Sequence, residues 1–389
     1  MGTPRSRSRE LTLHTPGFYQ TGYYPGGNWT PIGGPVGGSG IANIGETCND
    51  TLGPGPPYVE PHGLTLIKRK VVPLKFSGEA RLSSTNVRRH TNYNPQNFTG
   101  YIYVSEPGPT DWNYWKAKAM ATINPYRPQV DLPLFLFEFR EFPRLLRGLG
   151  LVLSGRYKAS DVAGGYLAYN FGWKPLISDL AALIDLGGSI AKARRDLQNA
   201  AQGGRVSRSL GSMSSHSLLS PYQYALGTAG TYTLSRIQNT TVKGWCTARV
   251  HLTEPLPTAG DELQELFKRT AFGLNLRPAM LWDAIPWSWL IDYFTNIGDL
   301  MEARGGYSLW RFTELFVMVK TSRSVKIGGA LNSVGSMTYT GGEMNYTRKE
   351  RSYVGSNPNV GLGLSPLLSD YQAGILGSLL TAAALRGRR

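Results

Sequence analysis

The chain has 389 residues and a mass of 42.7 kDa, enough to bury roughly three quarters of its unfolded surface, so neither disulfides nor a metal are needed to hold it together. Charged residues make up only 17 %, while Gly and Pro number 47 and 25, a loop-rich and strand-rich bias that excludes long helical arrays. The 41 Lys and Arg exceed the 26 Asp and Glu by a net charge of +15, and the pI is near 9.7, which points to a polyanionic partner, nucleic acid first.

Residues 1–63 hold 14 Gly and 9 Pro with only three basic residues, Arg5, Arg7 and Arg9, and read as extended segments joined by turns. From Leu64 to His90 basic residues interleave with apolar ones and meet a single acid, Glu79. Basic strands fit, with Pro73 favouring an edge. A helix is predicted from Trp112 to Ile123, capped by Thr110 or Asp111 and ended by Asn124 and Pro125. Another helical pattern runs from Asp131 to Leu149 with a break at Pro143. A third starts at Pro175 and carries Leu176, Leu180, Leu183, Gly187, Ile190 and Leu197 at helical steps to about Ala201.

From Thr241 to Leu252 the period is two, with Val242, Gly244, Cys246, Ala248 and Val250 in one phase, which predicts a strand. Asp261 to Arg269 is helical, and one long helix is expected from Pro286 to Arg304, closed by Gly305 and Gly306. Leu315 to Ile327 reads as a strand, and Ser336 to Tyr353 as a hairpin turning at Gly341-Gly342. Pro366 to Leu385 is a final helix. The expected class is α+β: an elongated two-lobe protein with a helical-bundle lobe and an antiparallel β-sheet lobe, each built from discontinuous segments. The β lobe takes residues 1–110, 205–260 and 307–360; the helical lobe takes 111–204, 261–306 and 361–389.

Catalytic and metal signatures are not visible. The five histidines are scattered away from one another and from the two cysteines, Cys48 and Cys246, so no local zinc spacing exists. Two cysteines exclude a disulfide-rich scaffold and allow one bridge at most. Phosphate-cradling and nucleophile-elbow motifs are missing, and no cofactor is expected. Asp292, Asp299 and Glu302 fall on one face of the expected long helix, where they read as an acidic stripe meeting basic residues of a neighbouring helix. No secretion signal is visible, and the apolar stretch from Tyr371 to Leu385 is shorter than the ~20 residues that span a bilayer, so no membrane span is expected.

Two stretches are distinctive: Phe171-Gly172-Trp173-Lys174-Pro175-Leu176-Ile177-Ser178-Asp179, and Leu281-Trp282-Asp283-Ala284-Ile285-Pro286-Trp287-Ser288-Trp289-Leu290-Ile291-Asp292-Tyr293. Together, in this order and separation, they resemble the maturation (A) proteins of the single-stranded RNA bacteriophages. Trp173, Pro175, Trp282, Pro286, Trp289 and Asp292 also read as core anchors and helix starts, so the motifs mark the family by building its helical core.

The resemblance implies a virion protein, monomeric and in few copies, that holds genomic single-stranded RNA, takes a place among the coat proteins, adsorbs the particle to a bacterial pilus and serves genome entry, without catalysis. It places the helical lobe on RNA and the β lobe on the pilus. The residues offer candidates for both. Lys192, Arg194 and Arg195 stand off the leucine stripe of their helix, Arg386, Arg388 and Arg389 end the last helix, and Lys116 and Lys118 sit among Trp112, Tyr114 and Trp115. Cations among aromatics can neutralise phosphates and stack bases. Arg348 and Lys349 are the candidates for the pilus, and the N-terminal aromatics, Tyr19 and Tyr23 among them, have the content of an adhesive surface. The competing reading is an enzyme acting on cell-wall or nucleic-acid polymers.

Overall fold

The structure, a computed structural model, describes residues 3–14, 19–23, 30–31, 40–52, 63–81, 87–93, 104–129, 131–133, 185–225, 231–258, 260–275, 277–283, 288–305, 309–332, 335–355 and 360–386, with single positions 166, 169, 181 and 285. The strands are β1 (Thr3–His14), β2 (Tyr19–Tyr23), β3 (Thr30–Pro31), β4 (Gly40–Leu52), β5 (Leu64–Val72), β6 (Lys75–Arg81), β7 (Val87–Tyr93), β8 (Arg205–Ala225), β9 (Thr231–Leu252), β10 (Trp310–Ala330), β11 (Thr338–Thr340) and β12 (Glu343–Gly355). The helices are α1 (Trp112–Ile123), α2 (Leu186–Ala201), α3 (Gly260–Ala271), α4 (Pro278–Asp283), α5 (Ser288–Asp292), α6 (Ile297–Gly305) and α7 (Asp370–Arg386). The class is α+β.

Seven strands form one antiparallel sheet in the order β1-β4-β5-β12-β10-β9-β8, and five form a second in the order β11-β6-β7-β2-β3. The period of two in β9 becomes a division of faces: Val242, Gly244, Cys246, Ala248 and Val250 are buried while Lys243 and Arg249 are exposed. Helix α1 lies on the buried face. Trp115 rests on Gly244, where an added Cβ would fall 2.2 Å from the indole ring, so only glycine admits this approach.

Two clusters fill that face. One joins Trp115, Met120 and Ile123 of α1 to Leu210, Cys246, Phe312, Val317 and Val319 of the sheet. The other joins Leu74, Phe76 and Met337, around the second sheet, to Val71, Leu234, Val325 and Met344 of the first. The helices of the first cluster thus share their core with the seven-stranded sheet, and the second cluster holds no helix residue.

Three expectations are corrected. The helix expected from Pro286 to Arg304 is interrupted at Tyr293–Asn296, because the Asp292 carboxylate turns back to accept from the Gly298 amide at 2.9 Å and caps a new helix, α6. Gly341 and Gly342 do not close a hairpin. With φ of 75° and 81°, they carry the chain from β11, paired with β6, into β12, paired with β10 and β5. Pro73 does not mark an edge strand: β5 is interior, and Pro73 stands where the chain leaves the first sheet for the second.

The two cysteines, for which one bridge was possible, are free. Registers place Cys48 and Cys246 on opposite faces of the sheet. The helix expected at 131–149 falls almost wholly outside the described residues, as do Trp173 and Pro175. No described helix is long and apolar enough to cross a membrane.

Candidate nucleic-acid interface and the acidic clasp beside it

Helix α2 is built by its cap and its stripe. Asp185 accepts from the Gly188 amide at 3.1 Å, a side-chain cap for an otherwise orphan donor. Ala193, Leu197 and Ala200 are buried at steps of four and three, leaving Lys192, Arg194 and Arg195 exposed on the other side. No ion pair engages these three among the described residues. The adjacent Asp196 is instead paired with Arg208 of β8 at 2.6 Å, which fixes α2 to the sheet and removes the nearest acid from the cationic surface. Such a surface is free to neutralise phosphates.

Lys116 and Lys118 are half-buried on α1. The Lys118 ammonium lies 5.5 Å from the Tyr114 ring centroid and lines an acidic cavity. Arg386 closes α7; its side chain, Arg388 and Arg389 lie outside the described residues. The two candidates on β12 point to opposite faces. Arg348 is on the helix-side face, paired with Glu106 at 3.1 Å and Glu350 at 3.0 Å. Lys349 is exposed on the other face.

The second distinctive stretch folds as α4, α5 and the start of α6, around one carboxylate. Asp292 accepts from the Trp282 indole nitrogen at 2.9 Å and from the Gly298 amide at 2.9 Å, so it joins the three helices. The side chains of Pro286 and Trp289 lie outside the described residues. Asn296, buried, accepts from the Gly363 amide at 2.8 Å and donates to the Asn113 carbonyl at 3.1 Å, tying this segment to α1.

Between these helices lies a cavity of about 410 Å³. Asp131, Asp283, Asp292, Asp299 and Glu302 line it with Arg277. Arg277 pairs with Asp131 and Glu302, each at 2.6 Å, and Glu302 also accepts from Asn124 at 3.0 Å. Burial first, then the charges of Asp292 and Asp131, push the Asp283 carboxyl up to about 6 although its edge reaches solvent. Burial also raises Asp299, against the pull of Lys118 and Arg127. The expected acidic stripe is therefore a clasp drawn from several elements, with Arg277 at its centre. Sequence reasoning missed Arg277, because its partners stand on distant segments.

A family model described as phage maturation protein matches residues 138–314. This part of the chain is similar to that family. Both distinctive stretches fall inside the match, as do α2 with its cations, α3 to α6, strands β8 and β9 and the start of β10, while α1, α7 and Asp131 lie outside it. The match covers less than half of the chain, and no curated protein matches it.

Proposed function

We propose that this chain is a phage maturation protein, a virion component that holds the single-stranded RNA genome through the cations of its helical side, sits among the coat proteins, attaches the particle to a bacterial pilus and takes part in genome entry. The observation that carries this reading is the exposed trio Lys192, Arg194 and Arg195, free of ion pairs among the described residues, within the stretch that matches the family. Several phosphate contacts on one surface give affinity without sequence reading, with site preference left to RNA shape.

Pilus attachment belongs in this reading to the β part far from the helices. Its five-stranded sheet carries Tyr19 and Tyr23 on β2, and the second core cluster joins it to the first sheet without a helix residue. The test compares particles carrying Lys192→Gln, Arg194→Gln and Arg195→Gln with particles altered at Tyr19 and Tyr23. The first set is expected to lose protected RNA per particle while still adsorbing to piliated cells. The second set is expected to keep RNA and lose adsorption. Unchanged RNA content in the first set would refute the helical RNA surface.

A further inference from the structure

Helix α1 and both core clusters lie on one face of the seven-stranded sheet; the other face is open at Lys243 and Lys349 and is met by Asp370 of α7 at the β8 edge, where it pairs with His216. On that open face the register sets Lys243 of β9 directly opposite Lys320 of β10, and Lys320 directly opposite Lys349 of β12. Three ammonium groups therefore stand in one row across adjacent strands, about 4.8 Å from strand to strand. Lys243 and Lys349 are exposed and Lys320 half-buried, whereas their chain neighbours Val242, Val319 and Glu350 are buried beneath. None of the three lysines has an ion pair among the described residues.

Like charges directly opposite one another weaken a sheet. Lysines that guard a sheet against pairing belong on its edges, but β9, β10 and β12 are all interior. The row thus opposes folding and does not protect an edge, which leaves a polyanionic ligand as its physical rationale. Its neighbours fit one. Thr241 and Ser322 face each other in the next row, offering hydroxyl donors, and on the other side Trp245, half-buried, faces Met318. Lysine is depleted in protein–protein interfaces, whereas single-stranded nucleic acids are held by a cationic track with aromatic platforms.

We propose that the open face of the seven-stranded sheet binds single-stranded RNA running across the strands, its phosphates on Lys243, Lys320 and Lys349 and a base against Trp245. This rests on the reading of the chain as an RNA-holding virion protein and adds a second surface to it, on the face away from α2.

The test uses the full chain and a fluorescent 20-nucleotide single-stranded RNA of mixed sequence, with affinity measured against salt. Replacing the three lysines by Gln is expected to flatten the log–log slope by about 2, from about 0.7 per cation lost. Replacing them by Arg should keep it. Trp245→Ala should weaken binding about 5- to 100-fold with the slope unchanged. Circular dichroism confirms folding of each variant, and if the Gln variant does not fold, Lys320→Gln alone and Trp245→Ala decide.

An unchanged slope together with unchanged affinity in Trp245→Ala overturns the proposal. If those variants bind normally while Lys192→Gln, Arg194→Gln and Arg195→Gln abolish binding, this proposal fails and the RNA reading stands. If the unaltered chain binds no RNA, the reading itself fails. Binding of polyglutamate as tight as RNA, with the same dependence on the row, would give the face to an acidic protein partner instead.

Discussion

Arg277→Met removes the one cation that faces both Asp131 and Glu302 in the clasp. The side chains are 13 % exposed for Arg277, 17 % for Asp131 and 8 % for Glu302, with both pairs at 2.6 Å. Such shielding puts the substitution among cases where breaking a buried pair strands its partner, at a cost of ~3–5 kcal/mol. With an unfolding entropy of about 2.1 cal/mol/K per residue, the 389-residue chain should melt about 4–6 °C lower. The pH dependence carries the diagnosis. A carboxyl whose folded pKa is raised contributes stability at low pH and loses it as pH rises through the folded value, about 6 for Asp283. Arg277 pulls that value down, so removing it raises the value further, and protonation of Asp283 then relieves the crowding of negative charge sooner. The deficit of Arg277→Met should be large at pH 7.5 and narrow towards pH 5, read from thermal melts by circular dichroism. A deficit below about 1 kcal/mol, or one equal at the two pH values, would refute the clasp as the source of stability.

Three further outcomes are expected. Gly244→Val drives a side chain into the Trp115 ring, 2.2 Å from the built Cβ, and should cost at least the ~1–3 kcal/mol of overpacking, measured by urea unfolding. Asp292→Asn leaves one of two donors, the Trp282 indole or the Gly298 amide, facing an amide NH₂, with a loss of ~1–3 kcal/mol, also read by urea unfolding. A thiol reagent at pH 8 should modify Cys48 and spare Cys246, which is buried and whose thiol is pushed up to about 12 by that burial; labelling of both in the folded chain, read by mass spectrometry, would count against this packing.

What the sequence made legible is local. Helix α1 runs over Trp112–Ile123 as expected, with Asp111 accepting from the Asn113 amide at 3.0 Å, because cap, apolar periodicity and the following proline all lie within one window. The exposure of Lys192, Arg194 and Arg195 follows from the same helical period. The errors share a different cause. Gly341-Gly342 signals positive φ equally well for a hairpin and for a crossing between sheets, and what decides is the pairing of Thr338 with Ser77, far away in the chain. The acids that share a cavity with Lys118, and Glu106 beside Arg348, 242 residues away, come from distant segments, whereas Glu350 stands two residues from Arg348.

The lysine row shows where local pattern and register meet. In β10 the apolar phase switches: Trp310 and Phe312 are buried at even positions, then Leu315, Val317 and Val319 at odd ones. The switch is a bulge between Thr313 and Phe316, in which Glu314 takes φ of 52° and pairs with Arg249 at 3.2 Å. A strand shifted by one residue turns every side chain to the other face. Without the bulge, Lys320 would stand opposite Val242 on the helix-covered face, and Val319 would be turned outward opposite Lys243. The phase switch is visible in the amino acids, but the row it creates also needs the partner strands β9 and β12. Burial of Val317 and Val319 under α1 therefore does two things at once: it closes the core, and it aligns Lys243, Lys320 and Lys349 on the face that stays open.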